Sequence, residues 1–214
     1  MKETPEPWTA EYVVVDVETT GLGPDARVIE FACAVVGVDR AIRPGFQTLV
    51  NPERSTGPVW LHGLAAADVR FAPRFIDVAG RIERELRDRI HVGHCLAFDR
   101  SVLEREFQAV GVAFPRTHFG ICTADLASRV LGVRSLAAAC RALGIDQAEP
   151  HRAGSDAWAA ARLLVALIDH LPRRQPCPPF PGAWRLPPPA APARRAEVRQ
   201  DAGIGGFAGW EGEA

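Results

Sequence analysis

EYVVVDVETTGLG, residues 11–23, decides the fold. A continuous Val-rich run of this kind suits a central strand buried on both sides. Asp16 and Glu18 interrupt it at i and i+2, so both carboxylates leave the same face. An unpaired buried charge costs several kcal/mol. That cost disappears where the pair holds a hard divalent cation such as Mg²⁺ or Mn²⁺, which prefers oxygen ligands. The alternative is a strand end emerging into solvent, with Glu18 already entering the turn TTGLG.

Working outward, VIEFACAVVGVD (28–39) reads as a second strand and GFQTLVNP (45–52) as a third, ended by Asn-Pro. The short turns between them predict antiparallel pairing. In residues 71–89, Phe75, Val78, Ala79, Ile82 and Leu86 recur at helical spacing. A short strand HVGHC (91–95) and a helix over 96–112 follow. FGICT (119–123) reads as a fifth strand. Helices are expected around 124–131 and 135–143, the second stopped by Gly144, and over 155–171, stopped by Pro172. Three strands followed by mixed strands and helices predict an α/β sheet flanked by helices.

The chain has 214 residues, enough for one domain and an appendage. Nine of the 18 prolines fall in 172–214, a segment almost without aliphatic periodicity. It reads as a Pro/Gly-rich tail or linker, partly disordered, with residues 1–171 as the domain. Trp184, Phe207 and Trp210 are unusual in a linker and suggest docking on the body or on a partner. Hydrophobic residues make up 47% and charged residues 24%, as in ordinary globular chains. No apolar run reaches the ~18 residues of a membrane span, and MKETPEPWTA has no secretory h-region. Five scattered cysteines without a CxxC argue against a disulfide framework. A cytoplasmic protein with free thiols is the expectation. The net charge of −1 argues against extensive duplex binding by phosphate neutralisation.

Two further acids open helices: Asp99 after HVGHC, and Asp156 after HRAGS. Each has an ordinary explanation, Asp99 through the helix dipole and Asp156 as an N-cap. His151 lies five residues before Asp156, which is ~140° around a regular helix. It must therefore occupy the preceding loop to join Asp156 in one site. Four acids and a histidine converging from these elements would make a two-metal nuclease centre.

VVVDVETTGLG (13–23), HCLAFD (94–99) and HRAGSD (151–156), in that order, resemble the DEDDh family of 3′→5′ exonucleases. That family includes the proofreading epsilon subunit of bacterial DNA polymerase III, RNase T and oligoribonuclease. WLHGLAAADVRFAP (60–73) is similar to a further family stretch. The resemblance covers residues 11–171 and implies an RNase H-like fold, a five-stranded mixed sheet flanked by helices. It implies that Asp16, Glu18 and Asp156 bind metal directly and that Asp99 holds the second of two Mg²⁺ or Mn²⁺ ions. It also makes His151 the general base, Thr19 and Leu22 contacts to the terminal nucleotide, and His62 a residue near the scissile end. As an alternative, His62 is a surface residue capping a helix.

Two positions depart from the family. Cys95 stands where members often carry Asn, and Cys122-Thr123 where they often carry Asp-Thr. Cys122 reads as a small buried hydrophobe. The implied activity is removal of nucleoside monophosphates from single-stranded 3′ ends, with DNA expected before RNA. The tail leaves room for a polymerase or clamp partner. A 3′ exoribonuclease is the alternative within this chemistry. A non-catalytic interaction module tethered to a polymerase or clamp is the alternative from another class.

Overall fold

The computed structural model describes residues 8–115, 117 and 120–170. The Pro/Gly-rich segment 172–214, with Trp184, Phe207 and Trp210, lies outside the described residues. Five strands form one mixed sheet: β1 (Tyr12–Thr19), β2 (Val28–Val36), β3 (Ile42–Leu49), β4 (Ile90–Gly93) and β5 (Gly120–Cys122), in the order β3-β2-β1-β4-β5. β1–β2 and β2–β3 pair antiparallel, whereas β1–β4 and β4–β5 pair parallel. This is the architecture expected of the RNase H-like fold, with the Val-rich strand at its centre.

The alternation of side chains along β1 divides the core between two layers. Val13, Val15 and Val17 pack with α3 (Phe75–Leu86) and α4 (Leu96–Ala109), through Phe75, Ile82, Leu103 and Phe107. Tyr12 and Val14 face the other way, onto Ala160, Ala161, Leu164 and Ile168. Those residues belong to α7 (Ala153–Leu167) and the short 3-10 helix Ile168–His170. Burying one Leu or Ile side chain stabilises by roughly 1.5–3 kcal/mol, so this apolar seam anchors α7 firmly on the sheet. α5 (Thr123–Leu131) and α6 (Leu136–Leu143) cover α7 from outside, with Leu126, Ala127 and Ala139 against Leu163 and Leu167.

The boundaries differ from the sequence reading in places. β3 begins at Ile42 and runs through Pro44, whereas an N-terminal limit at Gly45 was expected. Proline is tolerated there because β3 is an edge strand. The pairing register also shifts between Ala32 and Ala34, opposite that point. Gly45 lets the strand close over the irregularity: a Cβ there would stand 2.7 Å from the Cys33 carbonyl oxygen. Residues 59–69 add α1 (Val59–His62) and α2 (Ala66–Val69), each four residues long and too short to show a helical period.

Two ion pairs fasten the periphery. Glu106 of α4, buried, accepts from Arg27 Nε at 2.8 Å and from the Val28 amide at 2.9 Å, securing the start of β2. At the opposite pole, Trp8 Nε1 donates to Asp169 Oδ1 at 2.9 Å. Arg40 Nη1 donates to Asp169 Oδ2 at 3.0 Å, and its guanidinium lies 4.5 Å from the centre of the Trp8 ring. No helix among the described residues is long and apolar enough to cross a membrane.

Candidate active site

Asp16 is the one residue of β1 that is half-buried rather than fully buried, its carboxyl set among the other acids, and it shares the α7-facing side with Glu18. Opposite them on β2 lie Ala32, the partner of Asp16, and Glu30, the partner of Glu18. Ala32 packs with Ala153 and Ala157 of α7. Three methyl side chains at this contact let the helix N-terminus approach the sheet closely, which carries Asp156 toward the two strand acids. The register then shifts between Glu18 and Thr19, so that Thr19 pairs with Val28 at the end of β1.

Asp99 arrives from the other layer. The parallel pairing of β1 with β4 ends at Val14–Val92, which leaves the following β1 amides without a ladder partner on that side. Asp99, in the first turn of α4, fills the gap: its Oδ1 accepts from the Val17 amide at 3.2 Å. Gly93 makes room for it, since a Cβ there would stand 3.3 Å from Asp99 Oδ2 and 3.1 Å from the Leu96 Cα.

His151 precedes α7 in the loop, as its spacing from Asp156 requires. It is exposed, with φ 63°, and its amide donates to Asp156 Oδ2 at 3.1 Å. Gln147 Nε2 donates to Asp156 Oδ1 at 2.7 Å. Ligand atoms of Glu18, His151 and Asp156 all lie within 4.8 Å of one another. Asp16 and Asp99 complete the group electrostatically. Burial pushes Asp16 well above the ordinary carboxylate range, and repulsion from Asp99, Asp156 and Glu18 adds to it. Burial and the charge of Asp156 raise Glu18 to about 9. Asp99 rises to about 7, chiefly through burial, against the lowering effect of the Val17 amide. Asp156 is also raised by burial, although Gln147 and the His151 amide hold it down. Carboxylates that resist ionisation together, yet offer hard oxygen donors to one space, fit divalent cations.

The remaining expected residues divide. Leu22 is 58% exposed on the β1–β2 turn, open to a ligand. Thr19 is buried, and its hydroxyl donates to the Gly21 carbonyl at 2.6 Å, shaping that same turn. His62 is buried, not a surface cap: Nδ1 accepts from the Leu64 amide at 3.0 Å, which leaves Nε2 to donate to the Thr56 carbonyl at 3.2 Å. Gly57, near it, has φ 78°, and a Cβ would stand 1.9 Å from the Thr20 carbonyl oxygen, so this loop lies directly against the end of β1. Cys95, at φ 99°, holds a conformation that Asn adopts more readily. Burial pushes its thiol up to about 12, which keeps it protonated and unreactive. Glu30, Gln147 and the side chain of Arg152 went unmarked in the sequence reading. Glu30 carried the same signal as Asp16, an acid inside an apolar run.

The exonuclease family profile matches residues 13–164. A DNA polymerase III subunit epsilon-like protein of Rhodobacter capsulatus is 31% identical over 173 residues, covering 76% of this chain and 24% of its own. Among solved structures, exonuclease X in complex with 5′ overhanging duplex DNA superposes with a TM-score of 0.62 at 25% identity, over 78% of this chain and 97% of its own. The nuclease domain of 3′hExo, a DEDDh family member, bound to rAMP, gives 0.65 at 20% identity, over 78% and 95%. The chain spans 27% or less of the length of the first curated relatives it matches.

Proposed function

Because the chain belongs to the RNase T exonuclease family, we propose that it hydrolyses phosphodiester bonds stepwise from the 3′ end of single-stranded DNA, releasing nucleoside monophosphates. The observation that carries this reading is the set of four acids, Asp16, Glu18, Asp99 and Asp156, drawn from β1, α4 and α7 into mutual repulsion beside His151. Asp16, Glu18 and Asp156 would hold two divalent ions, Mg²⁺ or Mn²⁺, with Asp99 on the second. Such ions supply neutralisation of the acids and Lewis acidity toward the phosphate. The exposed imidazole of His151 takes a proton from the attacking water. Leu22 wedges against the terminal base, and Thr19 sets the turn that presents it. His62 fixes the neighbouring loop from beneath. Residues 1–171 form the catalytic unit, and 172–214 would engage any polymerase or clamp partner.

The test uses single-stranded DNA and RNA oligomers labelled at the 5′ end, with Mg²⁺, Mn²⁺ or EDTA. A ladder shortening from the 3′ end, absent in EDTA and with a blocked 3′ end, is the expected result. Rapid cutting of a circular single strand would refute it, and faster loss of RNA would move the substrate to the ribonuclease alternative. The closeness of His151 to Glu18 and Asp156 also favours a second reading, in which the histidine is itself a ligand. His151→Ala separates the two. A lost general base lowers the rate by about 10²–10⁴-fold while Mn²⁺ affinity by calorimetry persists; a lost ligand lowers both.

A further inference from the structure

We propose that Glu30 and Arg152 form a clamp that holds His151 in its working position, making both of them positioning residues for the reaction. This rests on the reading of His151 as the general base. Glu30 is 1% exposed and faces Glu18 across the β1–β2 pair. A second buried acid beside a metal-binding acid has no use as a ligand here, because its oxygens are already engaged. Oε2 accepts from Arg152 Nε at 3.1 Å and from the Ala153 amide at 3.2 Å; Oε1 accepts from Arg152 Nη2 at 2.9 Å and from Gln47 Nε2 at 3.1 Å. The fork is bidentate, the geometry in which an Arg–carboxylate pair is most directional.

Its place in the chain gives the fork its purpose. Arg152 is the N-cap of α7 but makes no side-chain cap of its own. Glu30 supplies the missing acceptor from the neighbouring strand, taking up the first free amide of the helix. One residue earlier, His151 sits at φ 63°, a left-handed conformation that costs a non-glycine residue roughly 1–2 kcal/mol. Such a conformation persists only where the surroundings over-determine it. The loop is held on both sides of the strained residue: the His151 amide on Asp156, and the Arg152 side chain on Glu30. Release of the second hold lets residues 150–152 relax toward ordinary dihedrals. The imidazole then swings away, while Asp16 and Glu18 stay fixed in β1.

The experiment is a double-mutant cycle on the full chain, read as single-turnover cleavage of a 5′-labelled single-stranded DNA oligomer in Mn²⁺, with Mn²⁺ binding measured by calorimetry. Glu30→Gln and Arg152→Lys are each expected to slow cleavage by about 10- to 100-fold, the scale of loss when a reacting group is misplaced by about 1 Å, with Mn²⁺ affinity unchanged. In the His151→Ala background, neither change should slow the reaction further, because the group they position is gone. Equal fold losses in both backgrounds, or lost Mn²⁺ affinity, would overturn the clamp. A wild-type rate in His151→Ala alone would instead remove the base assignment, and the clamp's role with it. Arg152→Lys keeps the charge opposite Glu30, so it carries the test should Glu30→Gln fail to fold.

Discussion

Asp16 shows how a single residue trades stability for chemistry. Its carboxyl is held well above the ordinary range by burial and by four neighbouring acids, Asp99, Asp156, Glu18 and Glu30. Asp16→Asn should abolish metal-dependent cleavage, yet raise the melting temperature of the metal-free protein at pH 8. At lower pH, as the raised carboxyl takes up its proton, the gain should shrink. A melting temperature that fell at pH 8 would contradict the repulsion. Cys95 makes the opposite case, a strained residue with no charge. Its φ of 99° costs roughly 1 kcal/mol or more, which Cys95→Asn should recover in a urea titration. The acids of β1 were legible because charge inside a Val run needs an explanation. Glu30 breaks VIEFACAVV in the same way, but its partners lie 17 and 122 residues away, so its pairing could not be read from the sequence. Nor could the burial of His62, which depends on the loop folding over it.

At the scale of elements, the decisive contact is α7 against β2. Ala153, Ala157 and Ala32 meet where longer side chains would hold the helix off. Ala157→Leu should destabilise by about 1–3 kcal/mol, as overpacking of a dense core does, and should lower activity beyond that by displacing Asp156. Thermal melting and cleavage of a short oligomer on one preparation check both; full activity with normal stability would show that the helix has slack. β1 is legible from its continuous Val-rich run, α3 from its helical spacing, and α7 from the Pro172 that stops it. The sequence places β3 three residues too late, at 45–52 instead of 42–49, since Pro44 suggests a break unless the strand is known to lie at an edge. α1 and α2 are four residues each and leave no periodic trace.

The molecule as a whole should feel the acids through pH. Glu18 rises from 4.5 to about 9 and Asp99 from 3.8 to about 7. Groups raised in this way bind more protons folded than unfolded, so their contribution is full below about pH 4 and is lost as pH climbs through 7 to 9. Without metal, the melting temperature should therefore fall between pH 5 and 9, by about 5 °C or more for a domain of this size. Mg²⁺ or Mn²⁺ binds the ionised acids, so the stabilisation it gives should grow over the same range. A flat metal-free profile, or an ion effect independent of pH, would show that the acids do not share one site.

The clasp of Trp8 and Arg40 on Asp169 sits at the start of β1, while Asp16 and Glu18 lie toward its far end. Eight strand residues span roughly 25 Å, so the two poles of the domain are well separated. Trp8 and Asp169, near the two ends of the described residues, are thus in direct contact. A unit whose two connections leave side by side can be spliced into the loop of a larger protein as readily as appended to an end. In architectural terms, the domain has a socket at one end and a tool at the other.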